Sequence, residues 1–334
     1  MMTTQARSKA VVRLIAGMSA GLLALGLTAC ATEANSQTNQ GSSSDSDAIT
    51  VRFQYNVGSS TLPIVVADRL GFWEENGIDF QGTEITPGPA GIAALGSQSD
   101  VLQTTQQTLF EAAEKGRDLK IFAGMGLSTT EVPAFPVFTN GDADNFADLT
   151  GEVVGVPGLT SFPTTALKYV ADKEGGDSSQ IEMVVVPWDT QADQLKADRV
   201  AAVWSIQPHA INLAKQGYKM LGDPTLLATD RDEMLASVVA TTAEYADKNP
   251  EALKRIKAAL NDAKDWIEGN DAEAKEIMID WIGLPEELVV GHPLTAVKID
   301  ITVEDLEPMK SIYKDLGLFA NLPPLEEIYV STEE

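Results

Sequence analysis

Thiols are almost absent from this sequence of 334 residues, in which Cys30 is the one cysteine. No disulfide framework and no cysteine-held zinc can therefore form within one molecule. Histidine is nearly as scarce: His209 and His292 are the whole supply, far apart along the chain. That excludes a multi-histidine metal site. Positive charge is short too. The 24 Lys and Arg stand against 49 Asp and Glu, for a formal net charge of −25. A field of that sign repels phosphate backbones and removes nucleic acid from the candidate partners. Beyond residue 30 no apolar run is long enough to span a bilayer. Catalytic motifs are missing as well: there is no GxSxG, no HExxH, no phosphate loop, and no GxGxxG after a strand. No catalytic residue, metal or cofactor is expected. What is present is ordinary globular material, 44% hydrophobic and 22% charged. Its length suits two domains at ~150 residues each.

Arg7, Lys9 and Arg13 are the only charged residues before Cys30. An apolar run follows from Leu14 to Leu27, broken only by Ser19, and leads into Leu27-Thr28-Ala29-Cys30. The run is too short to cross a bilayer core of ~30 Å and suits the core of a signal peptide. The small residues before the lone cysteine resemble the lipobox of bacterial lipoproteins. That resemblance implies a signal peptide over 1–29, cleavage before Cys30 and lipidation of its sulfur. Residues 31–48 contain no Val, Ile, Leu or aromatic residue, so 30–48 is expected to be a flexible tether. Without the leader, 21 bases face 49 acids, a balance of −28. The folded part is expected to start near Ile49, on the extracytoplasmic face of the cell membrane and held there by lipid.

From Ile49, short apolar runs alternate with amphipathic ones, the pattern of a largely parallel sheet flanked by helices. Strands are expected at 49–57, 78–86, 100–104 and 119–126, with helices at 62–76, 89–97 and 106–115. A second series follows Asp148-Leu149-Thr150-Gly151, with strands 152–156, 182–187 and 200–205 and helices 162–174, 189–197 and 207–216. The chain then turns helical over 250–268, 271–282 and 303–316. No internal repeat is visible. Asn249, Pro250 and Glu251 offer a cap, a first-turn proline and an acid at the positive end of the helix dipole. Leu253, Ile256, Leu260 and Ile267 form that helix's apolar stripe, with Lys254, Lys257 and Lys264 largely off it.

In open α/β sheets, ligands sit beyond the carboxyl ends of strands, near helix N-termini. The turns expected there hold Gly58-Ser59-Ser60-Thr61, Pro87-Gly88-Pro89-Ala90 and Thr104-Thr105-Gln106-Gln107-Thr108. In the second series they hold Gly158-Leu159-Thr160-Ser161, Trp188-Asp189-Thr190 and Ser205-Ile206-Gln207. These turns are rich in Ser, Thr and Gln and lack Lys, Arg and His. Such a site donates neutral hydrogen bonds and offers neither a strong base nor a metal cage. The same hydroxyls also cap helices, but capping alone does not call for the glutamines. Ser59, Ser60, Gln106, Gln107, Thr160, Ser161, Trp188 and Gln207 are the expected ligand contacts. Trp188 is either a ligand platform or a core aromatic, and Trp204, within a strand, reads as core. Asp189 either caps its helix or meets a ligand amine. His209 reads as structural or exposed, and His292 as a turn residue.

The order of these pieces resembles the substrate-binding proteins of ABC importers, in the group that takes sulfonates, taurine, nitrate and thiamine precursors. Leu62-Pro63-Ile64-Val65-Val66-Ala67-Asp68, then Gly71-Phe72-Trp73-Glu74 and Gly77-Ile78-Asp79, is similar to that family's opening helix and second strand. Ala94-Leu95-Gly96-Ser97-Gln98-Ser99-Asp100-Val101 resembles its A-L-x-S-G-x-x-D segment. Asp148-Leu149-Thr150-Gly151, with Val154-Gly155-Val156-Pro157-Gly158, resembles its D-L-x-G-K-x-V-G-V segment. Gln194-Leu195 through Trp204, then Gln207-Pro208, resembles its A-L-x-x-G-x-V-D-A…P stretch. Gln98, Glu152, Ala201 and Gln207 depart from the pattern.

The resemblance covers roughly 50 to 320 and implies an α/β, two-lobed type II periplasmic-binding-protein fold with a cleft between the lobes. The first lobe would combine 49–140 with 240–334, and the second would hold 145–236. Crossings near 139–145 and 236–241 would form the hinge. It further implies a monomeric protein that is no enzyme, captures a small-molecule ligand and delivers it to an ABC permease. Two ligand classes stay open. One is a sulfonate, taurine or related small anion or zwitterion, with Asp189 or Glu131 near an amine. The other is a neutral heteroaromatic, such as a thiamine pyrimidine precursor, stacked on Trp188. Outside transport, the alternative is a surface sensor or adhesin.

Overall fold

The computed structural model describes residues 48–85, 88–283 and 285–332. The expected signal peptide, Cys30 and the tether up to residue 47 lie outside the described residues, as does Pro87 of the second turn. Among the described residues twelve strands run in chain order: β1 (Ile49–Asn56), β2 (Ile78–Ile85), β3 (Val101–Thr104), β4 (Leu119–Gly124), β5 (Leu127–Thr129), β6 (Val137–Thr139), β7 (Val153–Val156), β8 (Glu182–Val185), β9 (Ala202–Trp204), β10 (Lys219–Gly222), β11 (Glu233–Leu235) and β12 (Val238–Thr242). The α-helices are α1 (Leu62–Leu70), α2 (Phe72–Glu75), α3 (Pro89–Ala94), α4 (Gln106–Glu114), α5 (Phe162–Lys173), α6 (Gln191–Lys196), α7 (His209–Lys215), α8 (Pro224–Thr229), α9 (Ala243–Lys248), α10 (Pro250–Gly269), α11 (Asp271–Ile282), α12 (Glu307–Asp315) and α13 (Leu325–Ile328).

Two five-stranded sheets share one plan. The first has the order β2-β1-β3-β12-β4, and the second, read from its matching edge, the order β8-β7-β9-β6-β10. In the first, β1 is parallel to β2 and β3, while β12 runs antiparallel to β3 and β4. In the second, β7 is parallel to β8 and β9, while β6 runs antiparallel to β9 and β10. The expectation of largely parallel sheets holds, since four of the five strands in each run the same way. Each sheet takes one reversed strand, the first full strand laid down after the chain arrives from the other sheet.

The crossings lie in a two-stranded antiparallel ribbon, β5 with β11, in which Leu127 pairs with Leu235 and Thr129 with Glu233. They were expected near 139–145 and 236–241. The outgoing one comes earlier, because Val137–Thr139 already pairs in the second sheet. Asp223 braces this region: its carboxylate accepts from Ser128 Oγ (2.5 Å), Phe135 N (3.0 Å), Thr225 N (2.8 Å) and Thr225 Oγ1 (2.6 Å).

Local chemistry accounts for most helix boundaries. The helix expected over 62–76 breaks at Gly71, whose φ of +83° is left-handed and ends α1. Thr105 caps α4 by accepting from Thr108 N at 3.2 Å. Asn249 stands at the N-cap of α10 as expected but makes no side-chain capping bond; its amide instead donates to Tyr245 O at 3.1 Å, closing off α9. Leu253, Ile256, Leu260 and Ile267 are buried along α10 as the periodicity requires. Lys257 is buried with them and reaches Asp300 at 2.6 Å, its long stem covering apolar surface on the way to a charged partner.

Three apolar clusters hold the layers together. On one face of the first sheet, Val51, Phe53, Val101, Phe122 and Val239 pack against α1, α10 and α11. Leu102, Ile121 and Ala240 join a second cluster. It continues through Phe110 and Tyr313 to Val154 and Leu167 beside the second sheet. The outer face of the second sheet carries a smaller cluster with α6 and α7, around Phe138, Leu195, Val203 and Leu213.

Candidate ligand cleft

The carboxyl ends of β1, β8 and β9 release the chain into turns that meet at one cavity of about 570 Å³. From the first sheet's side come Gly58 and Ser59 after β1. Met278 and Ile282 of α11 and the stretch from Leu288 to Thr295 complete that wall. From the second sheet's side come Trp188, Ile206, Gln207 and the first turns of α7. The volume lies within the ~300–1,000 Å³ typical of small-molecule pockets. No Lys, Arg, Asp or Glu lines it among the described residues. A hollow of about 830 Å³ at the opposite, amino edge of the first sheet is lined by that side alone, with Asp100, Arg117, Glu244 and Lys248 on its wall. Two of those charges are already paired with each other, Lys248 with Glu244 at 2.6 Å. The strand-end rule favours the smaller cavity.

A row of rings leads to the cavity wall. Phe135 meets Trp204 edge-on, with centroids 5.9 Å apart at 84°, and Trp204 meets Trp188 at 5.0 Å and 73°. The Trp188 plane lies 19° from that of His209, with centroids 6.4 Å apart. Trp204 is the expected core residue: it is buried, and its indole N–H donates to Thr164 Oγ1 at 2.9 Å. Trp188 is half-buried, packed on Trp204 behind and lining the cavity in front. Burial pushes the His209 imidazole below its ordinary pKa, against the pull of Asp189, and so favours the uncharged ring.

Several of the described buried polar atoms that lack a protein partner follow the carboxyl ends of strands. Gln106, two residues past β3, is fully buried with neither amide atom bonded among the described residues. Ser205 Oγ, directly after β9, Thr61 Oγ1 and Gln207 Oε1 are in the same condition. Each such atom costs ~1–3 kcal/mol, a cost that proteins carry where polar groups have a functional task.

The eight expected contacts divide. Ser59, Trp188 and Gln207 lie on the cavity wall. Ser59 Oγ accepts from Thr295 Oγ1 at 2.8 Å. Ser60 instead packs on the backbone at Gly126, where a Cβ would sit 2.4 Å from its own. Gln106 stands at its strand end but not on the wall. Gln107 fastens the two sides together: its Nε2 donates to Thr160 O at 2.6 Å and its Oε1 accepts from Phe162 N at 2.5 Å. Thr160 enters this clasp through its backbone. The Ser161 hydroxyl stays local, 2.9 Å from Thr164 Oγ1. The cavity also takes His209, Asn212 and His292, which the sequence reading left as structural, unremarked or turn residues. One signal was available: both histidines adjoin a proline, Pro208 and Pro293, at a chain turn.

A family profile described as NMT1/THI5 like matches residues 59–274. The chain belongs to the NMT1/THI5-like family. A Brucella abortus protein named as a binding protein is 24% identical over 267 residues, which is 76% of this chain and 79% of that one. Among solved structures, the periplasmic aliphatic sulphonate binding protein of Escherichia coli superposes with a TM-score of 0.70 at 17% identity, over 84% of this chain and 96% of that one. The periplasmic nitrate-binding protein of Synechocystis gives 0.67 at 14% identity, over 84% and 86%. This NMT1/THI5-like chain therefore has the expected two-lobed periplasmic-binding fold. The cavity of the NMT1/THI5-like chain lies between its two sheets, where that fold keeps its cleft.

Proposed function

We propose that this NMT1/THI5-like protein is the solute-binding component of an ABC importer. It captures a small molecule between its lobes outside the cytoplasm, works as a monomer, and is anchored through lipid on Cys30. The names of its relatives, a binding protein in Brucella abortus and sulfonate- and nitrate-binding proteins among the structural neighbours, support that role. The observation that carries it is the cavity itself, walled from both sheets by apolar and uncharged polar side chains and bordered by Trp188. A ligand there touches both lobes at once, which is what couples capture to closure.

The same wall supports one of the two ligand classes over the other. A sulfonate or nitrate carries a full charge and finds no cation among the lining residues, while a net charge of −25 opposes its approach. A neutral heteroaromatic buries its faces against Trp188 and the apolar wall and uses the uncharged donors for its edge. We therefore favour the neutral class over sulfonate, taurine or nitrate.

A thermal-shift screen across sulfonates, oxyanions, pyrimidines and flavins tests the reading. A ligand at ~100 times its Kd stabilises by ~2.7 kcal/mol, on the order of 5–10 °C in Tm. Neutral heterocycles are expected to give that shift. A screen in which nothing moves Tm would favour the sensor or adhesin. Labelling with a clickable fatty acid tests the anchor: the wild type should be marked and Cys30→Ser should not.

A further inference from the structure

Polar side chains interrupt the cavity's apolar wall at only a few points. Ser59 and Thr295 are already bonded to each other. The rest are Gln207, His209 and Asn212 on one side and His292 on the other. None of these four side chains donates or accepts a hydrogen bond among the described residues. His209 and Asn212 are three residues apart on α7 and share one helix face. Gln207 precedes that helix by two residues, and its Oε1 is buried. His292 comes from the turn after Val289, on the first sheet's side of the cavity.

We infer that Gln207, His209, Asn212 and His292 form the recognition subsite of the cleft, and that it takes an uncharged planar edge bearing both a hydrogen-bond donor and an acceptor. A carboxamide, or the ring N and amino group of a heteroaromatic, is such an edge. This rests on the solute-binding reading above and goes beyond it by naming the residues and the chemistry they read. Each amide offers one oxygen acceptor and an NH₂ donor, and a neutral imidazole offers one of each. A sulfonate or carboxylate supplies acceptors only and leaves the buried Gln207 Oε1 facing another acceptor. An ammonium supplies donors only and meets no carboxylate. A hydrocarbon satisfies none of the four groups. A neutral edge with both functions can meet a donor and an acceptor of this set at once, and the Trp188 and His209 rings, stacked with their planes 19° apart, give it a flat neighbour.

The scarcity of histidine makes the test direct. The chain's two imidazoles give two Cε1–H NMR signals, one from each side of the cavity. The protein is titrated with nicotinamide, benzamide and 2-aminopyrimidine, and separately with nicotinate, benzenesulfonate and taurine. At least one neutral probe is expected to raise Tm and move both histidine signals. Asn212→Ala and His292→Ala should each weaken that probe about three- to twelvefold by calorimetry, the loss of one hydrogen bond, with the apo Tm unchanged. His209→Phe keeps a ring beside Trp188, removes both imidazole nitrogens and should lose affinity similarly. A compound from this panel or the broader screen that raises Tm while both signals stay in place overturns the subsite and leaves solute binding standing. Binding confined to the charged probes does the same. If no compound of either class raises Tm, both the subsite and the solute-binding reading fall.

Discussion

The two sheets have the same strand order and different cladding. The outer face of the first sheet is sealed by 24 buried residues in one cluster, while seven serve the outer face of the second. Nothing in the sequence repeats between them. What recurs is the alternation of short strands with amphipathic helices, and one strand reversed after each crossing. Strand order thus follows from pattern and connection, whereas rigidity follows from how many large side chains each layer can bury. The first sheet reads as the platform and the second as the more lightly built partner.

The largest effect that could break this contrast is a core truncation. Phe122→Ala, in the platform cluster, should cost ~3–5 kcal/mol in urea denaturation. Leu195→Ala should cost ~2–5 kcal/mol and should open amides of the second sheet while those of the first stay protected from hydrogen exchange. Equal loss of protection in both sheets would remove the asymmetry.

Asp223→Ala tests the brace at the ribbon. It removes four hydrogen bonds to a buried carboxylate, and a single bond to a charged group is worth ~1.5–3 kcal/mol. A drop in stability smaller than that range would mean the ribbon holds itself.

Gln107→Ala should cost ~0.5–1.5 kcal/mol for each of the two neutral bonds it makes across the lobes. Small-angle scattering without ligand should then show a larger radius of gyration. An unchanged radius would mean that the apolar cluster between the sheets, which includes the Phe162–Tyr313 ring contact at 5.4 Å between centroids, holds the lobes without the Gln107 bonds.

The smallest effect concerns Arg52 and Asp100, at the edge of the platform. Burial opposes ionisation of Asp100, but hydrogen bonds from the Arg52 side chain and backbone N–H outweigh it and hold the carboxyl below its usual pKa. A depressed carboxylate stabilises the fold above its unfolded pKa and loses that contribution as pH falls through the folded one. The Arg52 side chain is 41% exposed, so the pair is worth at most ~1 kcal/mol. The stability gap between wild type and Asp100→Asn should narrow as pH falls below ~4, and a gap constant with pH would sink the assignment.

Much of this fold was legible in the residues. β1 to β4, β7 to β9, α10 and α11 announce themselves through alternation, helical periodicity and first-turn prolines. β4 to β6, and β11 to β12, follow one another with no α-helix between them, so the strand–helix alternation that marks the others does not reach β5, β6, β11 or β12. The site was legible by position and less so by identity. Trp188 and Gln207 follow strands, the position that marks them in the sequence, and both line the cavity. Thr160 and Ser161 carry hydroxyls that look the same in sequence whether they bond a ligand or their own turn. His209 and His292 were passed over because neither sits at an expected strand end, and only the third dimension brings α7 and the 289–295 turn to one cavity.

The chain enters the first sheet at Ile49 and returns to it near its far end, where Val330 N donates to Ile121 O at 2.9 Å and Tyr329 bridges to the same strand. The second sheet is therefore an inserted loop in the mechanical sense, strung between Gly124 and Val238. A pull applied ahead of β1, or beyond Val330, loads the first sheet directly and reaches the second through the ribbon and through the Gln107 bonds to Thr160 and Phe162. A dye or surface attached on either side therefore reports on the platform first.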